Sequence, residues 1–265
     1  MKKIILAVAL IAATLSAKAW QINCDKAALL VASHNYTPAT YQLVQRYVGE
    51  DMAKPAYYLA SLRKEGKLLE TKEWHTLHLN ADLQPAAADE KDAYVQIEKA
   101  LDIIRNHKQH DEKSVRFALC TVMNLVIDMH TISNVAIEGV ANSGTDFQFT
   151  SSKGTANGRP AKLFPYSWKE LWTSRYVYQH AGYTPEMWAT DLELMFSDKK
   201  AEFMAGTLAD WCHNIGQDTK KVHGILEANE GKFLHATIQA HEDLHMNCIA
   251  RAAYRIAALL NENLK

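Results

Sequence analysis

The sequence has almost no net charge, because 29 Lys and Arg residues face 30 Asp and Glu residues, a formal charge of -1 with neutral histidines. No overall field therefore attracts nucleic acid or an anionic membrane, and any polyanion must be held by a local group of cations. The composition is otherwise that of a globular protein, with 48% hydrophobic and 22% charged residues. The chain is long enough to bury a substantial core.

Cysteine is scarce, and no two of the four cysteines have the close spacing of a zinc finger. They are Cys24, Cys120, Cys212 and Cys248. In an exported protein they allow up to two disulfides, in three full pairings that the sequence does not distinguish. Buried free thiols are an equal alternative.

The chain also lacks internal repeats, low-complexity tracts and long linkers. Helical periodicity dominates, most closely over Ser114 to Met129. Further helices are predicted over residues 27–32, 38–47, 54–67, 93–106, 165–180, 185–196, 201–214 and 234–264. Residues 141–162 break the pattern, and their DFQF alternation predicts a short hairpin inside a loop. We therefore expect a single all-α domain with one irregular loop or small hairpin.

The first 19 residues are typical of a secretory signal peptide. Lys2 and Lys3 precede a short apolar run, and Ala17-Lys18-Ala19 fits the cleavage rule. The run is too short to span a bilayer comfortably. We expect cleavage after Ala19, export to the periplasm or the extracellular space, and a mature domain of residues 20–265 with no membrane span.

A polar stripe runs along the helix predicted over residues 114–129. Thr121, Asn124 and Asp128 are three or four residues apart, which places them on one face. The stripe is interpreted as a solvated surface, as a satisfied polar network in the core, or as a site where the carboxylate meets a cation or a metal.

The segment His241 to His245 satisfies the pattern HExxH, in which two histidines bind zinc and the glutamate is the base of a metalloprotease. The pattern is short, and a third ligand is hard to find because only Glu262 follows it. The helical period places His245 on the apolar face, as for a packed core histidine. The protease is therefore a minor alternative.

Several segments taken together resemble the zinc-dependent single-strand nucleases of the S-one/P-one type, a superfamily that includes bacterial zinc phospholipase C. The resemblance rests on Trp20 behind the leader, YYLASLRKEG at 57–66, WH at 74–75, LVIDMH at 125–130, SWKELWTS at 167–174 and AAYRIAALLN at 252–261. It spans nearly the whole mature chain. It implies an all-α fold and three zinc ions that activate a water for attack on a phosphodiester of single-stranded nucleic acid or nucleotides.

The resemblance transfers only part of the zinc site at its N-terminal side. Trp20 matches the terminus whose amino group and carbonyl oxygen chelate zinc in the family, whereas Asp25 stands where a ligand histidine is expected. The aspartate ligand of a following segment becomes Ala60, although the phosphate-contacting arginine is retained as Arg63. His75 matches a ligand histidine.

The remaining ligands are mostly replaced. Asp128 retains the position of the bridging aspartate, but Asn124 and Asn134 stand where histidine ligands are expected. Lys169 and Thr173 replace a further histidine and aspartate. The resemblance therefore implies a family scaffold whose trinuclear site is largely dismantled, with Trp20, Asp25, His75 and Asp128 as the remaining candidate zinc ligands.

Two functions follow as hypotheses. In the first, a reduced zinc cluster around Asp128, His75 and Trp20, with Arg63 on the phosphate, retains endonuclease or phosphodiesterase activity as a hydrolase. In the second, which the chemistry favours, activity is weakened or lost and the metal-free scaffold, a pseudoenzyme, binds a ligand or partner through the cleft or the loop at 141–162. The expected partner in either case is single-stranded nucleic acid or a nucleotide.

Overall fold

A computed structural model describes residues 22–86, 89–146, 148–152, 163–170, 172–173, 182–228, 232–234 and 242–265. The protein is mostly α-helical, as the periodicity predicts. Its helices are α1 (Ile22–His34), α2 (Pro38–Val48), α3 (Tyr58–Lys64), α4 (Ala93–Arg105), α5 (Glu112–Met129), α6 (Trp168–Glu170), α7 (Pro185–Phe196), α8 (Lys200–Met204), α9 (Leu208–Ala228) and α10 (Glu242–Asn263). Short 3₁₀ helices cover Lys54–Tyr57, Leu69–His75, His107–Gln109, Ile132–Asn134 and Ser197–Lys199.

Several helices begin at side chains that cap them. Thr37, Asp92, Asp111 and Thr184 each accept a hydrogen bond from a backbone N–H in the first turn of the helix that follows. Pro38 and Pro185 follow two of these caps, at positions where the missing N–H has no partner in the helix anyway. Local sequence thus determines where α2, α4, α5 and α7 begin.

Five short strands accompany the helices in the part of the chain that the structure describes. Strands β1 (Leu77–Leu79) and β2 (Val135–Ile137) form a parallel pair that the sequence analysis does not predict. Strand β3 (Gln148–Ser152) lies in the segment where the hairpin is expected, but its antiparallel partner β4 (Leu163–Ser167) lies beyond residue 162. Strand β5 (Lys232–Leu234) adds to β3 in parallel. The residues between β3 and β4, 153–162, lie outside the described part of the chain.

Three helix predictions are wrong in part. The helix expected from residue 165 is preceded by strand β4, which extends to Ser167, and the helix expected from residue 234 begins at Glu242 in the described chain. The helix expected over 201–214 is divided into α8 and α9 at Gly206, whose φ of 88° is not helical. These strands depend on pairing with distant segments, which a local helical period does not encode.

Helix α5 lies at the centre of the protein, and all its residues from Ala118 to Met129 are buried. It packs most extensively against α4, while α1 packs against α7 and α10. The buried side chains from these helices form a continuous hydrophobic core. Because α5 is surrounded, its polar stripe is enclosed within the protein, so the solvated-surface interpretation is wrong.

The four cysteines are buried free thiols, which is the second of the two alternatives that the sequence leaves open. Among the described residues, no helix is both long and apolar enough to cross a membrane. The predicted signal peptide and Trp20 lie outside the described residues.

Candidate functional site

A small polar cleft of about 50 Å³ lies where α1, α3, α5 and two 3₁₀ helices meet. It is lined by Asp25, Ala56, Ala60, Arg63, His75, Asn124, Ile127 and Asp128. Helix periodicity explains the contributions of α5, since Asn124, Ile127 and Asp128 are three or four residues apart. The cleft therefore brings together Asp25, Arg63, His75 and Asp128, four of the five residues that the sequence analysis selects.

A chain of hydrogen bonds joins Arg63, His75 and Asp128 in this cleft. Arg63 Nη1 lies 2.9 Å from His75 Nε2, and His75 Nδ1 lies 2.6 Å from Asp128 Oδ2. Because a guanidinium can only donate, Nε2 must accept and the ring proton must be on Nδ1, which donates to Asp128. Both ring nitrogens of His75 are thus engaged, one by a cation and the other by a carboxylate.

Arg63 is held in place by a second contact. Its Nη1 also donates to Oγ1 of the buried Thr71 across 3.0 Å, and Thr71 in turn donates to the carbonyl oxygen of Leu68. Partial burial lowers the pKa of Arg63, and the nearby Asp128 carboxylate opposes this effect. Among the described residues, Nε and Nη2 of Arg63 have no hydrogen-bond partner. The guanidinium therefore keeps donors available for a ligand.

Asp25 differs from the other groups of the cleft because its carboxylate is not compensated. The residue is only 7% exposed, and its Oδ1 has no hydrogen-bond partner among the described residues. Burial, and secondarily the charge of Asp128, raise the pKa of Asp25 well above its usual range. Two acidic side chains thus lie close enough to repel each other in one poorly solvated space.

A complete trinuclear zinc site does not fit these residues. Ala60 lines the cleft but has no ligand atom, and the amide of Asn124 donates to the carbonyl oxygen of Pro55. Asn134 donates to the backbone carbonyl of Asp128. His75 lacks a lone pair for a metal as long as Arg63 is bound to Nε2. Within the described chain, no three His, Cys, Asp or Glu side chains are grouped as a metal site requires.

Lys169 and Thr173, which stand at two of the replaced ligand positions, do not line the cleft. The side chain of Lys169 is exposed and does not line the cleft, and its backbone N–H donates to Asp146. Thr173 is buried and donates to the backbone carbonyl of Lys169. Neither Lys169 nor Thr173 therefore contributes a group to the cleft.

Comparison with known proteins gives no further assignment. No protein-family model matches the sequence, and no curated protein matches it. The residues of the cleft are therefore the basis for any assignment of function.

His245, the second histidine of the HExxH segment, lies in the core. It is 1% exposed, its Nε2–H donates to the carbonyl oxygen of Trp172, and its ring packs edge-on against the indole of Trp172. His241 lies outside the described residues. The contacts of His245 are those of a packed core histidine, in agreement with its position on the apolar face.

A second arginine–histidine pair was missed by the sequence analysis. Arg255 is 3% exposed, and its Nη1 donates to Nε2 of the buried His130 across 2.7 Å. His130 Nδ1 donates to the carbonyl of Val126, and Arg255 lies over the ring of Trp211. An arginine inside the apolar run AAYRIAALLN was the available signal for a buried cation. Nothing in the sequence identifies its partner.

Proposed function

We propose that this protein is an exported binding protein on a scaffold similar to that of the single-strand nucleases, and that its cleft binds phosphate groups of single-stranded nucleic acid or nucleotides without the trinuclear zinc site. The observation that carries the proposal is the hydrogen bond from Arg63 to Nε2 of His75. It places a fixed cation on the nitrogen that a zinc ion requires. Export is supported by the predicted leader, residues 1–19.

The free donors of Arg63 support the choice of a phosphate ligand. A guanidinium forms two parallel hydrogen bonds with phosphate oxygens, and Nε and Nη2 have no partner among the described residues. His75 and Thr71 both hold Nη1 of the Arg63 guanidinium, so this side chain loses little conformational entropy when a ligand binds. Arg63 thus serves as a preorganised anion-binding group.

The roles of the other residues follow from the hydrogen-bond chain. Asp128 orients His75 through Nδ1–H, and His75 positions Arg63 through Nε2. No residue of this set is placed to activate a water as strongly as a group of zinc ions would. The proposed function is therefore binding.

A reduced zinc-dependent nuclease is the second candidate, and the state of Asp25 favours it. A buried carboxylate with a free Oδ1 beside a second carboxylate is stabilised by a bound cation. Asp25 and Asp128, with the Trp20 terminus that the resemblance implies, would hold such an ion. This candidate requires the predicted cleavage after Ala19.

The experiment combines metal analysis, digestion and binding on the correctly processed protein. Zinc content is measured by elemental analysis, and single-stranded DNA is tested both as a nuclease substrate and, in the presence of a chelator, as a fluorescent ligand. We expect little zinc, no digestion, and binding that Arg63→Gln weakens about tenfold, the loss of a charged hydrogen bond. Lys64→Gln, which removes an exposed charge from the same helix, should leave binding unchanged.

Near-stoichiometric zinc together with digestion that Asp128→Asn abolishes would overturn the binding proposal in favour of the reduced nuclease. Metal-free protein that neither digests nor binds single-stranded DNA or nucleotides would overturn both candidates.

A further inference from the structure

A second pocket, of about 250 Å³, opens beside the cleft and shares no lining residue with it. Its cationic side chains are Arg46 from α2, Lys54 from the first 3₁₀ helix and Arg116 from α5. All three residues are exposed. A protein with a net charge of -1 thus concentrates three cations around one concave surface.

The charge of this basic pocket is only partly neutralised. Arg46 forms an exposed ion pair with Glu112 across 3.1 Å. Within the described chain, Lys54 has no ion-pair partner, and Arg116 uses Nε to donate to the backbone carbonyl of Tyr47 but contacts no carboxylate. Three cations and one carboxylate leave a charge of about +2, which a dianion complements better than a monoanion does.

The rest of the lining is apolar and adds no negative charge. Val48, Pro55 and Tyr58 line the pocket, together with the buried thiol of Cys120, whose pKa burial raises to about 12. The Tyr58 hydroxyl is protonated at neutral pH, as any tyrosine with an ordinary pKa is, and burial raises its pKa further. This hydroxyl has no hydrogen-bond partner among the described residues. It is therefore a free donor for an oxyanion.

We propose that this basic pocket is a binding site for a phosphate monoester, in which Lys54, Arg116 and Arg46 hold the phosphate and the apolar lining contacts the organic group. A monoester phosphate carries between about -1.5 and -2 charges at neutral pH, which matches the excess of cations. A phosphodiester carries only one charge and matches this excess less well. The volume lies slightly below the range of about 300–1,000 Å³ that is usual for drug-sized ligands, so the organic group is small.

The position of the pocket next to the cleft is compatible with two kinds of ligand that carry this phosphate. Arg116 and Cys120 lie on the same face of α5 as Asn124 and Asp128, at intervals of four residues. The pocket and the cleft therefore follow each other along one helix, with Cys120 and Asn124 about 6 Å apart along its axis. The phosphate belongs either to a free mononucleotide or to the 5′ end of a strand bound in the cleft. The second source alone rests on the proposed function.

The test is a calorimetric titration of the whole protein with inorganic phosphate, in the wild type and in Arg63→Gln, where the cleft no longer contributes its cation. We expect phosphate binding in both proteins, weakened about tenfold by Lys54→Gln and strengthened about threefold by Glu112→Gln, which frees Arg46. Lys64 lines neither the pocket nor the cleft, so Lys64→Gln should have no effect on phosphate binding. Because the Lys54 side chain is exposed and forms no ion pair with any described residue, its substitution should leave the fold intact.

Three results would each overturn the proposal of a phosphate site in the basic pocket. They are no binding of phosphate, equal binding by Lys54→Gln and the wild type, and loss of binding in Arg63→Gln alone. The last result would assign phosphate to the cleft and leave the proposed function standing. Displacement of phosphate by AMP identifies a free nucleotide as the source. Tighter binding of a 5′-phosphorylated oligonucleotide than of its unphosphorylated form, lost in Lys54→Gln, identifies a strand end. If neither displaces phosphate, the assignment to an organic phosphate is wrong.

Discussion

Arg63 and His75 are joined by a hydrogen bond of 2.9 Å between Nη1 and Nε2, while Nδ1 of the same ring is bound to Asp128. In metal sites, a carboxylate on one histidine nitrogen usually orients the other nitrogen toward the metal. Here the guanidinium occupies that second nitrogen. The arrangement has the order carboxylate, histidine, cation, with an arginine in place of the metal ion.

This relationship predicts that Arg63→Ala increases the affinity for zinc. The substitution frees the lone pair of His75 Nε2 and removes a positive charge from beside Asp25 and Asp128, so we expect at least a tenfold gain, about 1.4 kcal/mol. The affinity is measured by titration with zinc against a competing chelator. The double variant Arg63→Ala/His75→Ala should lose the gain. Equal zinc affinity of Arg63→Ala and the wild type would contradict the assigned role of the guanidinium.

Removing the uncompensated charge of Asp25 should stabilise the protein at neutral pH. The folded state raises the pKa of Asp25, so the folded protein binds this proton more tightly than the unfolded chain does. The free energy of unfolding therefore falls as the pH rises from the ordinary pKa of the carboxyl through the raised pKa. Asp25→Asn should be more stable by about 1–3 kcal/mol at pH 7, the cost of an unsatisfied buried group.

Urea denaturation at pH 7 and pH 4 checks this prediction, and the advantage of Asp25→Asn should shrink at the lower pH. The exposed Asp102→Asn provides the control and should change stability little at either pH. An Asp25→Asn protein that is less stable than the wild type at pH 7 would show that the carboxylate has a compensating partner.

The buried pair of Arg255 and His130 predicts a loss of stability in mild acid. Burial, and secondarily the charge of Arg255, lower the pKa of His130 well below its usual value. Below about pH 6.5 the unfolded chain therefore binds a proton that the folded protein does not, and the free energy of unfolding decreases as the pH falls. This group alone contributes a slope of up to about 1.4 kcal/mol per pH unit.

Urea unfolding between pH 7.5 and pH 5 measures this slope. His130→Gln keeps an acceptor near Arg255 but does not titrate, so its slope should be smaller than that of the wild type. The comparison is needed because burial also lowers the pKa of His223, which adds to the slope in both proteins. Parallel curves for the wild type and His130→Gln would rule out His130 as the source.

Gly144, which follows β2, has both a left-handed backbone conformation and no space for a side chain. Its φ is 67°, and a Cβ atom there would lie 2.6 Å from the Cβ of Ala136. Gly144→Ala should therefore lower the free energy of unfolding by about 2–4 kcal/mol, from left-handed backbone strain and overpacking. Gly139→Ala isolates the contribution of backbone strain, since φ there is 78° and no atom of the described residues lies within 4 Å of a Cβ at that position. Similar midpoints of urea unfolding for Gly144→Ala and Gly139→Ala would show that the backbone around residue 144 shifts to accommodate the Cβ atom without loss of stability.

Local sequence was sufficient to predict the mostly helical fold and its most regular elements. Helix α5 follows from its apolar period, and α2 and α7 follow from their caps and prolines. The strand Gln148–Ser152 follows from the alternation in a segment of turn-forming residues. In each case the signal lies within one segment of the chain, because helix and hairpin periods are local properties.

The resemblance to the single-strand nucleases also indicated Asp25, Arg63, His75 and Asp128 as site residues, and Ala60 and Asn124 as positions where the zinc ligands are replaced. Only the tertiary structure showed that Arg63 bonds to His75, that Asp25 lacks a partner and that Arg255 contacts His130. The tertiary structure also revealed the β1–β2 pair, which joins residues 58 positions apart, and showed that the cysteines are free thiols. A sequence determines which groups are present, but their burial, protonation and partners depend on contacts between distant segments, and those contacts exist only in the folded protein.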